Sequence, residues 1–448
     1  MTTTKKTVFP AFLLVGALLV TSCAGGGSAS TDTAPTSAES IDAIALPEGV
    51  EVDFWHIQAT IYGEAITEMV QEFNETNEWG IVVNESFKGS YQELNQAVRA
   101  SLAGGGAPDI SMAYENDTLE YVANDVIVPL DAYLESEQYG VPEEAMDDLV
   151  DGVLARQQVD AYNGSTLSWP HGNSSMGMYY NSDLFAEAGI DAPPTDWDEF
   201  LEQARQMKEE TGLPYIAMGT GKNGIYYNML RSKGVTPYDP AAGTTEFTSA
   251  ESIESLELLA LLFDEELAYT AADTEQEFTN ERTASEVGTT ARTSTKIDQI
   301  QDKFPWSVAL TPQDTDEPIT QLFGGNHVIL ASEDPNQELA AWLFMRWFAD
   351  TDAQSIYAAR TGYSPAVESA LETELLSTNY KENPQKAEAF ENVFVNAQIM
   401  PPTAAGNGID DMVTGVVEEV VLGRLTPQEA AERMDAEASN LLASAPQN

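Results

Sequence analysis

Most of the side chains in this sequence that could do chemistry end in carboxylates. Of 448 residues, 73 are acidic and 20 basic, a net charge of -53. Two carboxylates flanking a glycosidic bond can hydrolyse it, so composition leaves an exported glycoside hydrolase open. The same balance argues against nucleic acid as a partner. The three histidines, His56, His171 and His327, are scattered without H-E-x-x-H spacing, and G-x-S-x-G is absent, so neither zinc nor a serine nucleophile elbow is indicated. No cofactor or metal is expected. Gly219-Thr220-Gly221-Lys222-Asn223-Gly224 spells G-x-G-x-x-G after a predicted strand, but no clear acidic residue ends a second strand about 20 positions on. Glycines of a cleft loop account for it equally well.

The elements that must position any site come in alternation. Val50 to Trp55 alternates as a half-buried strand, and Ile66, Met69, Val70 and Phe73 fall at helical spacing between Tyr62 and Asn77. Gly80 to Ser86 and Asp109 to Ala113 read as further strands, with a helix from Gln92 to Ala103 between them. Strand and helix in alternation imply an α/β fold with a parallel sheet, whose crevice lies at the carboxyl ends of the strands. Trp55, His56, Phe87 to Tyr91 and Tyr114-Glu115 then share one rim. A second α/β series follows Tyr180: a helix capped by Thr195, strands at 214–218, 285–289 and 306–310, and a helix at 253–267. Asp334-Pro335 and Thr426-Pro427 open two later helices.

The amino terminus carries an address. Lys5 and Lys6 precede an apolar run from Val8 to Val20, shorter than the roughly 20 residues of a spanning helix. Val20-Thr21-Ser22-Cys23 resembles the lipobox of bacterial lipoproteins, in which Cys23 becomes the lipidated first residue. Residues 1–22 are then a signal peptide. Residues 23–46, poor in anything to bury, are expected to be a disordered tether.

Phe54-Trp55-His56, Phe87 to Tyr91, Ala107 to Ile110, Tyr114-Glu115, Asn173 to Ser175, Tyr179 to Phe185, Gly324-Gly325 and Thr361 to Pro365 occur in an order that resembles extracellular solute-binding proteins (family 1) of ABC importers, glycerol-3-phosphate and sugar binders among them. The resemblance implies a type II periplasmic-binding-protein-like fold with two discontinuous lobes: 47–160 plus about 309–348, and 161–308 plus about 349–445. It implies hinge closure around a small polyhydroxylated solute, no catalysis, and delivery to a membrane permease driven by a separate ATPase. Residue by residue it carries ligand contact onto Tyr91, Glu115, Ser174, Gly325, Tyr363 and a hydroxyl among Thr293 to Thr295, taken as Ser294. Trp55 and His56 join them at the rim.

Two departures bear on the solute. Lys222 and Ile225 replace aromatics of the glycerol-phosphate members, and Gly406 to Asp411 lacks their arginine. A buried phosphate needs cationic or backbone donors, which Lys222 or Arg292 would have to supply. The expectation is a monomeric receptor, lipid-anchored on the extracytoplasmic face, for a carbohydrate, polyol or glycerol-phosphate-type solute.

Overall fold

The computed structural model of the chain describes residues 37–157, 162–219, 221–332 and 334–445. The leader and Cys23 lie outside the described residues.

The first lobe begins with the expected alternation: β1 (Glu51–His56), α1 (Thr60–Thr76), β2 (Val82–Phe87), α2 (Tyr91–Gly104), β3 (Ile110–Ala113) and α3 (Glu115–Val122). The inward stripe of α1 buries Ile66, Met69, Val70 and Phe73, the residues its periodicity picks out. A capping box between Ser90 and Glu93 starts α2. β2, β1 and β3 are parallel neighbours. The sheet is completed in antiparallel sense by two strands from later in the chain, so it is mixed.

The chain leaves this lobe after β4 (Trp169–Pro170) and enters the second through β5 (Ser174–Asn181). There follow β6 (Ile216–Met218), α4 (Asn223–Ser232), β7 (Ala268–Thr270), β8 (Ser285–Thr289), β9 (Trp306–Leu310) and β10 (Thr320–Phe323). β8 pairs along one edge of β5, while β9 and then β10 pair along the other. The chain returns through Gly324-Gly325 to β11 (Asn326–Ile329), which inserts between β3 and β4 in the first sheet. Helices α5 (Pro335–Phe348) and α6 (Thr351–Thr361) pack into the first core, and β12 (Ala397–Gln398), α7 (Gly406–Val421) and α8 (Pro427–Ser444) complete the second lobe.

Three expectations are corrected. The lobe boundaries move: β10 belongs to the second sheet, not the first, and β4 and α6 to the first, not the second. Short strands are assigned by their partners, which no local pattern names. The tether expected over 23–46 does not extend through its last ten residues, because Ser37 caps a helix, Ala38–Asp42, that buries Ile41 in the first core; residues 23–36 lie outside the described residues. Asp42 takes hydrogen bonds from Ser136 Oγ at 2.5 Å and the Gln138 amide at 3.0 Å, which hold its carboxyl below the usual carboxylate range. Finally, Asp196 caps the helix Trp197–Thr211, while Thr195 donates to Glu199.

Candidate functional site

The strands of the first sheet end where their sequences predict a rim. β3 is buried throughout and delivers Tyr114 as the residue before α3, with Glu115 at its first turn, where the helix dipole favours a carboxylate. Tyr91, at the first turn of α2, lays its ring against that of Tyr114 with centroids 4.2 Å apart. Its hydroxyl points at Gly325, where a Cβ would clash with it. Gly324 has φ +104°, and a Cβ there would strike the carbonyl of Gly172, so the return crossing needs glycine twice.

Behind this rim stands a residue that motif reading missed. Arg156 is 1 % exposed; its Nε meets the Glu115 carboxylate and its Nη2 the carbonyl of Gly324. Its Nη1 has no hydrogen-bond partner among the described residues. The same holds for the Tyr91 hydroxyl, both side-chain polar atoms of Asn173, Ser294 Oγ and Gln321 Oε1. Such groups cost about 1–3 kcal/mol each when buried unpaired. Burial also pushes the Tyr91 and Tyr363 phenols above their ordinary range, so both are neutral donors at neutral pH.

Tyr363 stacks on Tyr357, centroids 5.5 Å apart, and meets the edge of Tyr62 at 5.8 Å. Gln58 Nε2 donates to its hydroxyl at 3.4 Å. Across the crossing, Thr289 Oγ1 donates to Ser174 Oγ at 2.9 Å. Ser294 lies against Gly362, the neighbour of Tyr363. Tyr91, Glu115 and Gly325 therefore gather around Arg156, and Ser174, Ser294 and Tyr363 approach from the chain crossings and the second lobe.

A cleft of ≈ 390 Å³ opens beside Glu115, which is the one of these residues that lines it. Tyr114, Glu115 and Asn116 form its first-lobe wall, and Met176, Tyr227, Tyr238, Gln321 and Asp410 are among the residues opposite. Gly221 and Gly224 line it too, so the glycine-rich loop is cleft wall, the plainer of its two readings. Across its far end Asn407 donates to Asp117 at 2.9 Å, and the Thr403 amide to Asn116 at 3.1 Å.

Three expected contacts are placed elsewhere. The ammonium of Lys222 is turned to Glu418 on α7. Trp55 sits under Lys88, whose Nζ is 3.8 Å from its ring centroid. His56 is buried with both nitrogens engaged, by Glu85 at 2.8 Å and by the Gln58 amide at 3.1 Å. Arg292 is exposed and pairs with Glu275 at 3.7 Å, so it does not supply the cation either.

Two lobes, three chain crossings and a polar cleft between them are the architecture of a protein that binds a small molecule. Residues 68–389 match the family model of bacterial extracellular solute-binding proteins, and the chain belongs to that family. It is 24% identical over 405 residues to the sn-glycerol-3-phosphate-binding periplasmic protein UgpB of Escherichia coli (strain K12), covering 85% of this chain and 90% of that one. In fold it is similar to UgpB from Mycobacterium tuberculosis, solved in complex with glycerophosphocholine (TM-score 0.79, 20% identity, 88% of this chain and 98% of that one). The GacH receptor of Streptomyces glaucescens, solved unliganded and with acarbose, gives a TM-score of 0.76 at 18% identity, over 89% of this chain and all of that one.

Proposed function

We propose that this protein is a monomeric, lipid-anchored receptor that captures a polyhydroxylated solute between its lobes and hands it to the permease of an ABC importer. The observation that carries the reading is the set of buried polar groups around the crossings, Tyr91, Arg156, Asn173 and Ser294, left without partners among the described residues. Hydroxyls of a sugar or polyol would satisfy them. Relatives that bind glycerol-3-phosphate, glycerophosphocholine and acarbose support this class of ligand. A phosphate is the weaker fit, since the one buried guanidinium at the rim, Arg156, already serves Glu115 and Gly324. Cys23 would hold the receptor at the outer face of the membrane.

A thermal-shift screen over sugars, polyols and glycerol phosphodiesters tests the reading. A solute at 100 times its dissociation constant should add about 2.7 kcal/mol of stability. Cys23→Ser should release the protein from membranes with the shift intact. Turnover of the solute, or loss of binding in the released protein, would overturn the proposal.

A further inference from the structure

The far end of the cleft has a chemistry of its own. The lining of the whole cleft includes two carboxylates, Asp410 at this end and Glu115 at the Arg156 rim, and no lysine or arginine among the described residues. The nearby cations are committed elsewhere: Lys222 to Glu418, and Arg231 to Thr236 and Gln398. Asp410 lies on α7 in the segment where the sequence lacks an arginine. Its carboxyl is faced by the hydroxyl of Tyr227, a residue 2 % exposed, whose proton favours the charged form. Gln321 adds an unpartnered acceptor, Oε1. The rings of Tyr114, Tyr227 and Tyr238 complete the wall. Carboxylate and amide oxygens beside aromatic faces suit a donor-rich cation and repel an anion.

We infer that the solute carries a protonated amine, bound at the Asp410 end of the cleft, with its hydroxyls turned toward Tyr91 and Glu115. This rests on the cleft being the solute site and narrows the solute class from polyols to amino sugars or amino polyols. A neutral sugar would leave the Asp410 charge without a counter-ion. A phosphate would meet the unpaired carboxyl of Asp410 and no cation in the lining among the described residues.

Asp410 also makes the inference sensitive to pH. Burial raises its carboxyl to about 6. The groups around it are Asp411 alongside, Tyr227 and Tyr238 from the second lobe, and Glu115 and Asp117 on the facing α3. None is a cation, so an arriving ammonium would be its main electrostatic partner.

The test uses the full chain and matched probes: glucose with glucosamine, galactose with galactosamine, mannose with mannosamine, and glycerol 3-phosphate as the anionic comparison. By calorimetry, at least one amine should bind about ten- to a hundredfold tighter than its neutral partner. Asp410→Asn should erase that preference, and Tyr227→Phe should reduce it. Glu265→Gln, which removes the same charge from an exposed pair with Arg205, should leave it unchanged. Affinity for the amine should fall as pH drops through about 6. A neutral sugar or glycerol 3-phosphate binding as tightly as every amine would overturn the inference and leave the receptor reading standing. If no amine bound at all the inference would also fall, and native mass spectrometry of the purified protein for a retained neutral or anionic solute would then decide the receptor reading separately.

Discussion

Two buried polar regions meet at the lobe crossings, and they are built on opposite terms. In the first, all three histidines of the chain converge although they are spread from position 56 to 327. His171 Nδ1 meets His327 Nε2 at 2.8 Å, and His171 Nε2 is within 3.3 Å of Gln58 and 3.2 Å of the Tyr357 hydroxyl. Phe348 stacks on His171 with centroids 4.9 Å apart. All but one of the ring nitrogens are engaged; His327 Nδ1 alone has no partner among the described residues. In the second region, around Arg156, unpartnered atoms are the rule. Protein-satisfied polarity stabilises the crossing, whereas each buried group left without a partner costs stability unless a bound solute supplies one.

The comparison breaks most sharply at Arg156. Arg156→Met leaves the Glu115 charge without its partner, and loss of one member of a buried pair is worth about 3–5 kcal/mol. Urea denaturation should register that loss, and solute binding should fall with it. An undiminished denaturation midpoint would mean that the pair is not structural.

The histidines predict an acid limit. Burial pushes His327 down to about 3 and holds His171 well below its usual range. The unfolded chain, with ordinary histidines near 6.5, binds these protons first. Stability is therefore complete above pH 6.5 and is lost as pH falls toward 3, by up to about 1.4 kcal/mol per pH unit for each histidine. His327→Gln should flatten this slope in stability measured between pH 7 and 4; an unchanged slope would assign the acid sensitivity to carboxylates alone.

The finest contrast sets two tyrosines side by side. Tyr91→Phe removes an unpartnered hydroxyl and should leave unliganded stability unchanged or slightly raised while weakening solute binding about tenfold. Tyr357→Phe removes a bond to His171 and should do the reverse, costing about 1 kcal/mol of stability with affinity preserved. Equal effects of the two on affinity would erase the distinction between the regions.

Much of the first lobe is legible in the sequence because its signals are local. The stripe of α1 and the strands read to end at Trp55, Ser86 and Ala113, within one residue of the observed ends, come from neighbours a few residues apart. Family motifs likewise lead to Tyr91, Glu115 and Tyr363. Arg156 escapes because it occupies an unremarkable helix, Asp151–Gln157, and meets Glu115 and Gly324 only through tertiary packing. Lys222 misleads for the converse reason: its place in a glycine-rich loop suggests a ligand contact, but Glu418, almost 200 positions on, takes the charge. Strands such as Thr320–Phe323 carry no mark of the sheet they join. Acidic side chains are so numerous that nothing in the sequence distinguishes Asp410 from the rest.

The contact between α3 and α7 sets how firmly the far end of the cleft is shut. There Asn116 and Asp117 accept the two hydrogen bonds from the Thr403 amide and the Asn407 side chain. Each contributes about 0.5–1.5 kcal/mol net, far less than a greasy seam of the same extent. This end is joined by polar groups that water can replace at once, so parting it needs no apolar surface to be torn open at that point. A receptor that must surrender its cargo on docking gains from a catch of that kind: strong enough to orient the lobes, and weak enough that the permease can undo it.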